Sequence, residues 1–237
     1  PGMDGSGTLL KTQTPHLTPW FDLRCVAISP QDLSSWEPLA RQVGHLIAKE
    51  LNSSSNRKRS VYLCGESFGG CLAMKVLTIF PQLFDHIILI NPASSFRRLP
   101  WMQLGPLITR QLPNRAYRYS ALGLIPFLIE PFRVAKRNRQ ALEKAMGDVP
   151  AKTASWRMDL LSQFDTERLP LERMTHPILL IVGGNDRLLP SKREAKSLTR
   201  RFLNAKMTLL PHSGHACLLE TDTNLQSILT QNQFLPS

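Results

Sequence analysis

A chain of 237 residues, 42% hydrophobic and 20% charged, has the material for one ordinary α/β domain with an insertion and a sizeable core. Its longest nearly apolar stretch, Ala121 to Ile129, falls far short of the ~20 residues a spanning helix needs. The net charge of +11 is concentrated: Arg97 to Arg157 holds nine Arg and three Lys against Glu130, Glu143 and Asp148. That surplus of +9 marks a local interacting surface rather than a uniformly basic nucleic-acid binder.

The chain opens on a Gly-rich loop, Pro1-Gly2-Met3-Asp4-Gly5-Ser6-Gly7. Gly2 and Gly7 have phosphate-loop spacing, but Thr8 stands where Lys is required and no strand precedes the loop. Asp22 to Ser29 reads as a buried strand. Trp36 to Leu51 reads as a helix with Leu39, Val43, Leu46, Ile47 and Leu51 on one face and Ser34 or Ser35 as its N-cap. A polar, basic loop follows at Asn52 to Arg59. Ser60–Gly65 is the next strand, followed by a helix to about Phe80. His86–Asn91 and His176–Gly183 are short apolar strands. Pro190–Phe202 is a basic helix, Ala205–Leu210 a strand, and Ala216 to about Thr230 a closing helix. Continuous apolar strands alternating with helices predict an α/β fold with a mostly parallel sheet covered on both faces. The alternation breaks from Arg97 to Leu171, a helical stretch interrupted by Pro100, Pro106, Pro113, Pro126 and Pro131. The expected organisation is a core of residues 1–96 and 172–237 carrying a helical insertion at 97–171.

Gly65-Glu66-Ser67-Phe68-Gly69-Gly70 lies between the apolar run Val61–Cys64 and a helical stretch, the strand–turn–helix context of a nucleophile elbow. A serine at the tip of such a turn is strained, and glycines two before and two after it let strand and helix close around it. A serine nucleophile needs a base, and the base an orienting acid; here they should follow in that chain order after later strands. Asp186, in Gly183-Gly184-Asn185-Asp186, and His215, in His212-Ser213-Gly214-His215, occupy such places. Asp222 and Asp165 are the alternative acids, and neither follows a strand; His212 is the rival base. The Gly before His215 and the apolar run after it favour His215. Two backbone N–H groups should form an oxyanion hole: that of Phe68 and one from the opening loop, Met3 ahead of Asp4.

The segment 97–171 would lie over the site as a lid. Its apolar stretches, Trp101–Ile108 and Leu122–Phe132, alternate with Arg110, Arg115, Arg118, Arg133, Lys136, Arg137 and Arg139. Such a lid supplies an acyl-chain pocket with an outer face for anionic headgroups, or equally an ordinary cap with a solvated basic side. The four cysteines lack ligand or pairing spacing, three sit in or beside apolar runs, and they read as buried, reduced thiols. The six histidines show no metal spacing, so neither metal nor cofactor is expected.

These motifs resemble the α/β-hydrolase superfamily. Within it, Pro1–Gly7, Gly65-Glu-Ser-Phe-Gly-Gly-Cys-Leu-Ala, Asn91-Pro-Ala-Ser-Ser-Phe96 and His212–Glu220 are similar to the plant and cyanobacterial esterase/lipase/thioesterase group that includes phytyl ester synthases. The resemblance implies an α/β-hydrolase fold with a helical lid, Ser67 as nucleophile, Asp186 as acid and His215 as base. It also implies fatty-acyl ester or thioester substrates, with water or a lipid alcohol such as phytol or diacylglycerol as acceptor. The implied setting is cytoplasmic or plastid- and thylakoid-associated, with peripheral membrane contact through the basic lid. The His-x-x-x-x-Asp motif of a second acyltransferase region, frequent in plant members, has no counterpart here. In the superfamily the oxyanion loop follows a central strand, and this chain begins at the loop. With N-terminal strands missing, Asp22–Ser29 would lack a partner, and the chain is expected to behave as a fragment of poor stability or activity. The leading expectation is a serine hydrolase of lipid-like acyl esters. An acyltransferase and a non-catalytic lipid- or protein-binding relative are the alternatives.

Overall fold

The computed structural model describes residues 1–53 and 59–236; positions 54–58 of the expected polar loop lie outside the described residues. Four strands, β1 (Tyr62–Glu66), β2 (His86–Ile90), β3 (Ile178–Gly183) and β4 (Ala205–Leu210), form one parallel sheet in the order β1-β2-β3-β4. Leu63 lies opposite Ile87, Ile87 opposite Ile178, and Leu180 opposite Met207. The pleat sends alternate residues to two apolar layers. Ile87, Leu89, Ile178, Leu180 and Val182 join the larger core, while Ile88, Ile90, Leu179 and Ile181 pack with Leu17, Leu225 and Leu229 on the other face. Each such side chain contributes about 1.5–3 kcal/mol of burial, which explains why β2 and β3 carry no polar face.

Helices α1 (Trp36–Ser53) and α2 (Phe68–Ile79) belong to the larger layer. Between β2 and β3 run α3 (Gly105–Gln111), α4 (Asn114–Gly123), α5 (Lys136–Gly147) and α6 (Ala151–Gln163), with α7 (Ser191–Arg201) and α8 (Leu225–Gln231) after β3 and β4. Several prolines of the segment sit at helix starts, Pro106 within the first turn of α3 and Pro113 and Pro150 immediately before α4 and α6, whereas Pro131 lies in a turn. α6 is built into the core. Leu160, Leu161 and Phe164 are buried in the same layer as Trp36 and Phe68, and the Trp36 indole N–H donates to the Leu160 carbonyl at 2.7 Å.

Three expectations need correction. Asp22–Ser29 forms no strand. Among the described residues no strand lies beside it, and an apolar run becomes a strand only where a ladder receives its backbone groups; the Ile28 N–H donates to Gly5 instead, at 2.8 Å. The closing helix is broken: Cys217–Leu219 is a 3-10 turn, Glu220 is extended, and α8 starts only after Asn224, whose side chain accepts the Ser227 N–H at 3.1 Å. The cause is Glu220, drawn aside by polar partners described below. The thiols also divide. Cys71 and Cys217 are buried, but Cys25 and Cys64 are exposed, and both line a cavity beside β1.

Candidate active site

Ser67 sits between β1 and α2 at φ 54°, ψ −116°, a positive-φ conformation that costs a non-glycine residue about 1–3 kcal/mol. The turn is held by β2: Ser67 N–H donates to Ile90 O at 2.9 Å, and Ala93 N–H donates to Ser67 O at 3.0 Å. The flanking glycines are required by contact. A Cβ on Gly65 would lie 2.3 Å from the Gly69 carbonyl oxygen, and one on Gly69 would lie 2.3 Å from that of Pro1. Phe68, fully buried, stacks on Trp36 at 4.9 Å and anchors the start of α2.

His215, buried in the loop after β4, places Nε2 2.8 Å from Ser67 Oγ and Nδ1 2.7 Å from Asp186 Oδ2. Asp186 follows β3 and accepts at Oδ1 from the N–H groups of Leu188 and Leu189, both at 2.9 Å, and at Oδ2 from the Ser191 hydroxyl. Burial works to raise the Asp186 carboxyl, but His215 and these donors outweigh it and hold it below its ordinary value. Burial likewise works to lower His215, and the neighbouring Asp186 outweighs it, so the imidazole lies above its ordinary value. An ionised Asp186 fixes the tautomer: Nδ1–H donates to the carboxylate, leaving Nε2 to accept the Ser67 hydroxyl proton. A hydroxyl on an imidazole that is itself steered by a carboxylate is the arrangement that activates a serine. The rivals lie elsewhere. His212 is exposed, Asp222 pairs with Arg133 at 2.8 Å, and Asp165 pairs with Arg97 and caps a short turn.

The opening loop reaches the same place. Gly5 N–H donates to Gly2 O at 3.1 Å, closing a turn around Met3 and Asp4, and the Pro1 carbonyl rests on Gly69. Among the described residues the Met3 N–H has no backbone acceptor, and Phe68, the first residue of α2, has an N–H outside the helix ladder. Glu66, beside the serine, is raised to about 7 by burial, with Asp4 adding to the effect and His215 opposing it. Among the described residues, no three His, Cys, Asp or Glu side chains gather as metal ligands.

Two positioning residues escaped the sequence reading. Asn91, fully buried at φ 40°, donates from Nδ2 to His215 O at 2.7 Å and accepts the Gly183 N–H at 2.8 Å. Glu220 accepts the Gly214 N–H at 2.8 Å and pairs with Arg133 at 2.9 Å. Asn91 stood in a recognised motif but offered no sign of its long-range partners; Glu220 gave none either. A cavity of about 1930 Å3 runs from Ser67, His215 and Met3 along the outer side of β1, and under Trp101, Ile108, Leu124, Met146 and Met158.

A family model described as the alpha/beta hydrolase family matches residues 4–224. Phytyl ester synthase 1, chloroplastic, of Arabidopsis thaliana is 29% identical over 252 residues, covering 97% of this chain and 35% of that protein. Phytyl ester synthase 2, chloroplastic, of the same plant is 34% identical over 255 residues, with 97% and 36% covered. The chain thus spans about a third of the length of these two relatives. A hydrolase from Oleispira antarctica superposes with a TM-score of 0.79 at 16% identity, covering 98% of this chain and 88% of that one, which shows the shared fold. No helix among the described residues is long and apolar enough to cross a membrane. On the family match and the strand–elbow–helix architecture together, the chain belongs to the alpha/beta hydrolase family.

Proposed function

We propose that the chain is a serine hydrolase of fatty-acyl esters or thioesters working through an acyl-enzyme. One observation carries the reading: His215 bridges Ser67 Oγ at 2.8 Å and Asp186 at 2.7 Å. Ser67 Oγ attacks the acyl carbonyl as its proton passes to His215 Nε2, and the carbonyl electrons move onto oxygen. The Met3 and Phe68 N–H groups receive that oxyanion. Collapse expels the alcohol or thiol, which takes the proton from His215. Water then adds to the acyl-enzyme by the same steps in reverse, freeing the acid and Ser67. The apolar residues beyond the serine, Ile108, Leu124 and Met158 among them, support a long acyl chain.

A second reading keeps the acyl-enzyme and replaces water with a lipid alcohol. It is favoured by the two relatives named as phytyl ester synthases. The exposed Leu104 and Leu107, with Arg110 and Arg115 nearby in the chain, support a lid whose outer face meets an anionic membrane. Fluorophosphonate labelling tests the core of the proposal. Ser67 should be modified and Ser67→Ala should not; label that survives the substitution would sink the reading. Product analysis with a long-chain acyl donor, with and without phytol, then separates hydrolysis from transfer.

A further inference from the structure

The geometry points to Arg157 as a positioning residue for the oxyanion loop, gripping the Met3 carbonyl from α6 so that the Met3 N–H is held toward Ser67. This rests on the serine-hydrolase reading above. Arg157 is among the largest fully enclosed side chains of the molecule, 2% exposed, and forms no ion pair among the described residues. Burying a guanidinium is costly unless its donors are used, and they are used on backbone. Nη1 donates to Met3 O at 2.7 Å, and Nη2 donates to Ser29 O at 3.3 Å. Burial lowers its pKa, and the neighbouring Asp4 and Asp32 offset this only in part.

The loop leaves little other freedom. The peptide plane before Met3 is set by the Gly5 N–H on Gly2 O, and the plane after it by the guanidinium on Met3 O. Both peptide planes at Met3 are therefore fixed: the donor N–H lies in the first, held within the loop, and Arg157 holds the second from α6, one Cα further along. Gly5 completes the fit: at φ 71° it lets the guanidinium lie flat against the backbone, where a Cβ would stand 2.6 Å from Nη1. A donor aimed in advance at the developing charge is worth about 10²- to 10³-fold in rate, so one that swings free forfeits a large part of that.

A bland alternative is that Arg157 only knits loops together. Its helix, however, has other bonds to the same region: the Thr153 hydroxyl donates to Pro30 O and the Trp156 indole N–H to Ser34 O at 3.0 Å. These provide an internal control. In Arg157→Met, kcat for a soluble acyl ester should fall about 10- to 100-fold with KM changed less than about threefold. Affinity for a trifluoromethyl ketone, which places an oxyanion in the hole, should fall in the same proportion. Thr153→Val should lower the melting temperature and leave kcat within about twofold. Arg157→Lys, which reaches one carbonyl rather than two, should recover part of the rate and covers the case in which Arg157→Met does not fold. Wild-type kcat in a folded Arg157→Met or Arg157→Lys variant overturns the inference, as does a loss confined to KM. A wild-type protein that takes no label on Ser67 would instead sink the underlying reading.

Discussion

Between Pro100 and Leu128 the helical segment leaves Trp101, Leu107 and Ile108 each 60% exposed, whereas its later part, although Phe132 there is fully exposed, is tied to three loops of the candidate site. Arg157 reaches the opening loop, Glu130 pairs with Arg187 beside Asp186 at 2.7 Å, and Arg133 pairs with Glu220 under the histidine loop. A run of basic residues that looks uniform in sequence is thus two surfaces. In one, Arg133 and Arg157 serve as internal fasteners with specific acceptors, while Lys136, Arg137 and Arg139 beside them stay exposed. In the other, cations flank exposed apolar side chains and have the character of a contact face. Net charge alone does not separate these, because burial decides whether a cation is a structural donor or part of a long-range field.

The sharpest way to break the contrast is through Glu220. In Glu220→Ala the Gly214 N–H and Arg133 lose a buried partner, which should cost about 2–3 kcal/mol and lower kcat about 10-fold or more as His215 loosens. Denaturant melts alongside ester kinetics would show both losses. A stable, fully active variant would mean the fastened part has no hold on the site. At the outer face the expectation reverses. Leu104→Ser with Leu107→Ser should reduce binding to phosphatidylglycerol vesicles about tenfold or more, from lost apolar burial, and leave hydrolysis of a soluble ester unchanged. Co-sedimentation with vesicles measures the first, and unaltered binding would assign that face to plain solvent.

The smallest expected effect is electrostatic. His215 must be neutral to accept a proton, and its value is raised above 6.5, so the acid limb of kcat/KM should have its midpoint above 6.5. Glu66 contributes to that rise, and Glu66→Gln should move the limb downward; a pH–rate profile unmoved by the substitution would remove Glu66 from the balance. Stability runs the other way. The raised His215 stabilises the fold fully below 6.5, and that contribution fades as pH climbs through its folded value. The lowered Asp186 contributes above 3.8 and is lost only as pH falls through its folded value. Between these limits the pair stabilises most while His215 is protonated and unable to act as base.

The meeting of Ser67, Asp186 and His215 was legible because each position depends on local chain chemistry: a turn that glycines permit, and loops that follow strands. β2 and β3 were legible for the same reason, since burial on both faces leaves an unbroken apolar run, whereas β4 ends the strand order and carries Lys206 and Thr208 among its apolar residues. Asp22–Ser29 carried a partly similar run and forms no strand, because a ladder needs a neighbour as well as a pattern. Glu220 interrupts the expected closing helix, extended where its carboxylate meets Arg133, 87 positions away. Arg157 looked like one more basic residue of an exposed insertion, and only its acceptors, Met3 and Ser29, distinguish it. Roles set by contacts across the fold leave no periodic trace.

Asn91 has a consequence of a different kind. One amide group joins the end of β2 to the end of β3 through Gly183 and carries the carbonyl of His215. The imidazole is therefore indexed to the sheet and not merely to its own loop, and it inherits the stiffness of hydrogen-bonded ladders many residues away. Any disturbance that slides β3 against β2 by a fraction of an ångström is passed to the histidine directly, so the alignment of the reacting atoms doubles as a gauge of how well the sheet has formed.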